Sequence, residues 1–263
     1  MIPRDYITEW RARAPWADNA QVEQDLVICR ALVSIFSQPA LGDALAFRGG
    51  TALYKLYLTP AARYSEDIDL VQVRAEPAGP VMDALRAALD PWLGAAKWKQ
   101  TEGRVTFNYR FASEDPTPVP LRLKVEVNTR EHFAEHGFRR VPFKVASRWF
   151  NGACDISTYE LDELLATKLR ALYQRRKGRD LFDIATALSR GGVDPARIIA
   201  AFRRYMDEGG HQVTRAELEK NLAAKLEDKR FQSDIPPLLA AGQTWDAAQA
   251  AALVVETLFP LLP

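Results

Sequence analysis

Apolar and polar positions along the chain fall into two regimes. Between Asp18 and Gln38, Val22, Leu26, Ile28, Leu32, Val33, Ile35 and Phe36 recur at helical spacing, with Asp18 or Asn19 as the cap and Pro39 beyond the end. A short apolar strand over Ala44–Phe47 then runs into Gly49-Gly50, and a helix is predicted from Thr51 to Leu58. Ile68–Val73 reads as a strand and Val81–Leu93 as a helix. Alternating runs over Arg104–Phe111 and Leu121–Val127 flank the proline-rich Asp115–Pro120, which predicts a hairpin or a short connection. From about Asn151 helical patterns dominate: Tyr159–Arg175, Asp180–Ser189, Ala196–Met206, Arg215–Lys229 and Trp245–Leu258. The pattern predicts a mixed α/β half over residues 1–150, with an amino-terminal helix, and a helical half over residues 151–263.

Composition narrows the chemistry. At 48% hydrophobic and 26% charged residues the chain is ordinary for a globular protein. Lys+Arg 35 against Asp+Glu 34 leaves a formal charge of +1, so any nucleic-acid binding must come from a local basic surface. Cys29 and Cys154, with three histidines, exclude a disulfide framework and a four-ligand zinc site. The first residues lack the apolar core of a signal peptide. The most apolar stretch, Ala247–Pro263, is interrupted by Gln249 and Glu256, which fits an amphipathic or buried helix and not a membrane span. A cytoplasmic protein without a membrane partner is therefore expected.

Asp67 and Asp69 stand two apart in a predicted strand, so they share one face while Ile68 and Leu70 share the other. Two carboxylates so placed can bridge divalent ions for in-line phosphoryl displacement, and hard oxygen ligands favour Mg²⁺ or Mn²⁺. Asp-x-Asp alone is more often a solvated edge or a helix-capping acid. Gly49-Gly50-Thr51 changes the weighting, because it follows an apolar strand and opens a helix. Glycines admit close backbone approach to a phosphate, and a helix start offers free N–H groups to an anion. Thr51 would cap the helix or donate its hydroxyl to a phosphate.

Phe47-Arg48-Gly49-Gly50-Thr51-Ala52-Leu53, followed by Arg63-Tyr64-Ser65-Glu66-Asp67-Ile68-Asp69-Leu70, resembles the signature of the AbiEii/AbiGii toxins. These are DNA-polymerase-β-like nucleotidyltransferases, the toxin halves of bacterial type IV toxin–antitoxin pairs. The resemblance implies a polymerase-β-like mixed sheet with flanking helices and a helical carboxy-terminal lobe. It implies that Gly49, Gly50, Thr51 and Ser65 hold the phosphates of an NTP and that Asp67 and Asp69 bind the metal ions. It implies a cognate antitoxin as a possible partner and a tRNA 3′ end, or another RNA, as the acceptor.

Further candidates lie downstream. In Leu121–Asn128 the odd positions are apolar, so Arg122, Lys124, Glu126 and Asn128 share a polar face, and Glu126 is the candidate third acid of the metal site. The alternative is an amphipathic strand whose charges pair with one another. Lys168 falls in the middle of a stripe of Leu161, Leu164, Leu165 and Leu172, where an ammonium needs a partner, a ligand or a route to the surface. In the resembling family a lysine on the first helix after the sheet contacts the phosphates. Arg179-Asp180-Leu181-Phe182-Asp183 looks like that family's Arg-Asp-x-x-Asp motif, which contributes an active-site acid. Asp180 sits near a helix start, where the dipole favours an acid anyway. Asp183 lies off the apolar stripe and is expected to be solvated or to face a cleft. Arg179 would contact phosphate or pair with one of these acids. Two basic clusters, Arg175-Arg176-Lys177 with Arg179 and Arg139-Arg140 with Lys144 and Arg148, would hold RNA or form a solvated surface. Competing readings are nucleotidylation of a protein or small-molecule hydroxyl and a non-catalytic NTP- or RNA-binding protein.

Overall fold

The structure is a computed structural model and describes residues 2–263. It divides into two compact units, one running to Phe133 and resuming over Phe138–Tyr159, the other comprising Ala134–Gly137 and Glu160–Pro263.

The first unit opens with helices α1 (Arg4–Trp10), α2 (Asn19–Phe36) and α3 (Pro39–Ala44). Strand β1 (Leu45–Arg48) leads into α4 (Gly49–Ala52), which continues as a π-turn over Leu53–Tyr57. Then come β2 (Asp67–Gln72), α5 (Gly79–Leu93), β3 (Lys97–Thr101), β4 (Arg104–Ala112), β5 (Pro120–Asn128), β6 (Phe138–Ala146) and β7 (Asn151–Tyr159). The strands form one mixed sheet in the order β3-β4-β5-β2-β1-β7-β6. β4 and β5 are antiparallel neighbours, so the proline-rich segment is a hairpin loop.

Register sorts the side chains of this sheet. β2 runs parallel to β5 with Ile68 opposite Val125 and Leu70 opposite Val127. β4 continues the apolar row, placing Val105, Phe107 and Tyr109 opposite Val127, Val125 and Leu123. All eight are buried. Helix α2 packs against β5 and β7 and α5 against β4. The Asp18 carboxylate accepts from the Ala20 N–H and caps α2. α2 is buried nearly all round, even at Glu23, Gln24 and Asp25, and each of these three side chains makes at least one hydrogen bond that offsets its burial. Glu23 accepts from the Glu114 N–H, and Gln24 donates to the Arg122 carbonyl.

The sequence pattern misses β3, β6 and β7. β3 is an edge strand exposed along its whole length, and of β6 only Val145 is buried. β3 lacks the period-two burial that marks a strand, and β6 shows it only over Val141, Phe143 and Val145, around Pro142. The sheet therefore extends past residue 151, where helical patterns were expected to begin, and Tyr159 ends β7 instead of starting a helix.

The second unit is helical: α6 (Leu161–Gln174), α7 (Gly178–Arg190), α8 (Pro195–Glu208), α9 (Arg215–Leu226), α10 (Lys229–Gln232) and α11 (Ala247–Leu258). Asp194 and Asp246 cap α8 and α11, and Thr214 with Glu217 forms a capping box on α9. The single helix expected over Arg215–Lys229 stops at Leu226 because Asp228 caps a new turn. Glu163, buried in the first turn of α6, accepts from the N–H groups of Glu135 and His136 and from the Tyr205 hydroxyl. That carboxylate ties segment Ala134–Gly137 to the helices. Among the described residues no helix is long and apolar enough to cross a membrane.

Candidate active site

The glycine turn and the aspartate pair are brought together by the β1–β2 register. β1 pairs antiparallel with β2, so Arg48 stands opposite Asp69 and the turn leaving β1 lies beside that carboxylate. Gly49 has φ +82°, and a Cβ built there would collide with Asp69 Oδ2. Only glycine meets both demands. A Cβ on Gly50 would fall 2.6 Å from the Arg63 guanidinium and 3.1 Å from Ser65 Oγ. The buried Thr51 hydroxyl donates to the Asp67 carbonyl at 2.5 Å and sits 2.9 Å from Ser65 Oγ, which leaves Ser65 as the donor to Thr51. Thr51 thus fastens the turn to β2 and makes no side-chain cap on α4.

Asp67 and Asp69 share the polar face of the sheet with Lys124 and Glu126, their register partners on β5. Lys124 Nζ lies 3.0 Å from Asp67 Oδ2 and 3.5 Å from Glu126 Oε2, and Arg104 lies 3.5 Å from Glu126 Oε1. Arg48 pairs with Glu131 at 2.5 Å. Burial first, then the neighbouring Asp67 charge, raises the Asp69 pKa, while Lys124 and Arg48 pull it back. Burial works against the Lys124 ammonium, yet Asp67, Asp69 and Glu126 outweigh it and raise its pKa.

These residues fit a divalent cation. Asp67 Oδ1 is buried and has no hydrogen-bond partner among the described residues, a loss that a metal–oxygen bond would relieve. Positive charge at this position would also favour the ionised form of Asp69. Among the described residues no group of three or more His, Cys, Asp or Glu is gathered as a metal cluster. Asp67 and Asp69 are the residues that would hold such an ion, and Glu126 on the same face is engaged by Lys124 and Arg104.

A cavity of about 380 Å³ opens beside the turn, reached by Thr51, Ser65, Arg63, Tyr54 and Lys55. That is within the ~300–1,000 Å³ of small-molecule sites. Sequence reasoning missed Arg63, which is 1% exposed, faces the Tyr54 ring and donates to the Tyr64 carbonyl. An arginine four residues before Asp67 was the available signal. It also missed Asp25, whose carboxylate accepts from Trp10 and Trp16 and pairs with Lys55 at 2.6 Å. Two of the six tryptophans therefore anchor an acid on the cavity wall.

In the second unit the structure brings Lys168, Asp180 and Asp183 together. Lys168 Nζ lies 2.9 Å from Asp183 Oδ2 and 3.2 Å from Asp180 Oδ1, and Arg175 grips Asp180 through two bonds of 2.7 and 2.8 Å. Both aspartates are completely buried. Asp183 is therefore not solvated as its position off the apolar stripe suggested. Spaced three apart on α7, the two acids face the same ammonium, and that pairing lets Lys168 stay among leucines. Arg179 pairs with neither acid of its motif. Its guanidinium and backbone N–H are held by Asp234, each bond at 3.1 Å. Arg176 pairs with Asp228 and Lys177 with Asp234, so that basic cluster is engaged within the chain. In the other cluster Arg140 pairs with Asp43 and Arg148 with Asp5 and Glu9. Lys225 donates to the Leu172 and Tyr173 carbonyls at the end of α6, and burial lowers its pKa to about 8.

Residues 30–252 match the family described as the nucleotidyl transferase AbiEii toxin of type IV toxin–antitoxin systems. No curated protein sequence matches the chain. Among solved structures, the nucleotidyltransferase toxin MenT4 from Mycobacterium tuberculosis H37Rv superposes with a TM-score of 0.71 at 18% identity, covering 99% of this chain and 89% of that one. A protein assigned as a nucleotidyltransferase from H. pylori gives 0.54 at 17% identity, covering 93% of this chain and 95% of its own. At such identities the likeness is one of fold.

Proposed function

Because the chain belongs to the AbiEii family of nucleotidyltransferase toxins from type IV toxin–antitoxin systems, we propose that it transfers a nucleotide from an NTP to the 3′ end of an RNA, tRNA foremost, in the cytoplasm. Transfer to a tRNA 3′ end blocks aminoacylation and hence translation, and a cognate antitoxin would restrain the enzyme. The observation that carries this reading is the seating of the Asp69 carboxylate where Gly49 lacks a Cβ, with the Asp67 Oδ1 lone pairs unused on the same face.

Asp67 and Asp69 would hold two divalent ions, Mg²⁺ or Mn²⁺, whose chemistry when bound is to acidify the acceptor hydroxyl and neutralise the triphosphate. The glycine turn admits the β- and γ-phosphates close to the backbone, and Ser65 offers its hydroxyl beside them. Lys124 compensates the aspartates' charge before substrate arrives. Arg63 and Lys55 make the adjoining cavity receptive to an anion. Glu126, held by two cations, steadies Lys124 or completes a metal shell. From the family resemblance we assign Lys168 to the phosphates, stabilising charge on departing pyrophosphate, and Asp183 or Asp180 to the active-site acid of the motif, two carboxylates that pair with the Lys168 ammonium.

The test supplies each labelled NTP in turn with Mg²⁺ and either total tRNA or a protein lysate. Label in RNA is expected. Label in protein alone would replace the RNA acceptor by a protein one, and NTP binding without transfer to either pool would leave a binding protein.

A further inference from the structure

The polar face of the sheet does not end at the carboxylates. Register carries it from Asp67 and Asp69 on β2 to Arg122, Lys124, Glu126 and Asn128 on β5. It continues to Arg104, Thr106, Asn108 and Arg110 on β4 and to Lys97, Lys99 and Thr101 on β3. Lys97, Lys99, Arg110 and Arg122 are exposed there and form no ion pair among the described residues. Glu126 is the sole acid that these three outer strands place on that face, and Lys124 and Arg104 already engage it. Neutral donors and acceptors (Thr106, Asn108, Asn128) lie between the cations. With strands ~4.8 Å apart, the row reaches roughly 14 Å outward from the aspartates.

We propose that this β3–β4–β5 face is the track along which the acceptor RNA's phosphodiester backbone lies, leading its 3′ hydroxyl to Asp67 and Asp69. The inference rests on the RNA-acceptor reading above. It is carried by charge complementarity and by continuity with the carboxylate pair. A chain of net charge +1 has gathered unpaired cations on one open surface, whereas its arginine-rich segments are paired internally. An RNA fits better than an acidic protein because a row of exposed cations along a sheet face matches a repeating phosphate backbone, which is bound largely through its charge.

Binding of fluorescein-labelled tRNA is measured by anisotropy between 50 and 200 mM salt for the wild type, the quadruple variant Lys97→Ala, Lys99→Ala, Arg110→Ala, Arg122→Ala, and a control. The control removes four exposed cations of the second unit, Arg203, Lys220, Lys229 and Arg230. Each lost phosphate contact lowers the salt slope by about 0.7–0.9. The track variant's slope should therefore fall by about 3, and its ratio of Kd at 200 to 50 mM salt roughly 60-fold below that of the wild type. The control should keep the wild-type slope. Weak wild-type binding, an unchanged track variant, or an equal loss in the control each overturns the track. Label transfer in the same samples separates the two ideas: binding that follows these cations with no nucleotide transferred would sink the RNA-transferase reading, and with it the acceptor role of the track, while keeping the face as an RNA-binding surface. A circular-dichroism melt of the variant matching that of the wild type excludes unfolding as the cause.

Discussion

Gly49→Ala perturbs backbone and site at once. At φ +82° an L side chain pays the left-handed penalty, about 1–2 kcal/mol. The new methyl also occupies the position of Asp69 Oδ2, so Asp69 must leave its rotamer, which adds about 0.5–1.5 kcal/mol. The expected stability loss is therefore about 2–3 kcal/mol, read from the urea midpoint with the m-value unchanged. Displacing a reacting group by ~1 Å costs about 10²-fold in rate, so nucleotide transfer should fall by at least that factor under conditions where the variant is folded. Gly50→Ala is the internal comparison: its φ is unstrained, and its methyl meets the far ends of Arg63 and Ser65, which can move. It should lose less stability than Gly49→Ala. A Gly49→Ala enzyme with an unchanged midpoint and near-normal transfer would refute the reasoning, because the carboxylate could not then be seated against the turn.

Lys168→Met removes the cation between two completely buried aspartates and should cost about 3–5 kcal/mol, with Lys168→Arg recovering part of it in the same denaturation assay. Because the Asp69 pKa is raised in the folded protein, its contribution to stability is present below the usual value of 3.8 and is lost as pH climbs through the raised one. Without added metal, Asp69→Asn should therefore be more stable than the wild type at pH 8, with the difference closing as pH falls toward 4; a constant difference across that range would contradict the electrostatic account. Millimolar Mn²⁺ or Mg²⁺ should raise the wild-type melting temperature and leave Asp67→Asn/Asp69→Asn unmoved, as followed by differential scanning fluorimetry.

The motif residues were legible because their chemistry is local. Asp67 and Asp69 at period two, and paired glycines between a strand and a helix, carry their meaning within a few residues. The polar face of β5 was readable from alternation alone. Arg63, Asp25 and Lys55 were not, since a buried polar residue declares itself only through partners distant in sequence, as Trp10 and Lys55 are from Asp25. The burial of Asp183 was hidden for the same reason: off the apolar stripe of its helix it reads as solvated or facing a cleft, and only its pairing with Lys168 on the preceding helix shows how it is buried. Edge strand β3 escaped because an exposed strand has no burial to imprint a period on its sequence, and β6 because its alternation is confined to Val141, Phe143 and Val145 and carries Pro142. The β3–β5 cation row emerged only with register, which joins Lys97, Arg110 and Arg122 across three strands.

The most direct test incubates the protein with Mg²⁺, each labelled NTP and total tRNA, beside Asp69→Ala. The account predicts label in the tRNA band with the wild type and a loss of at least about 10²-fold with Asp69→Ala. Label that enters tRNA equally well without Asp69, or that never enters RNA from any NTP, would contradict it.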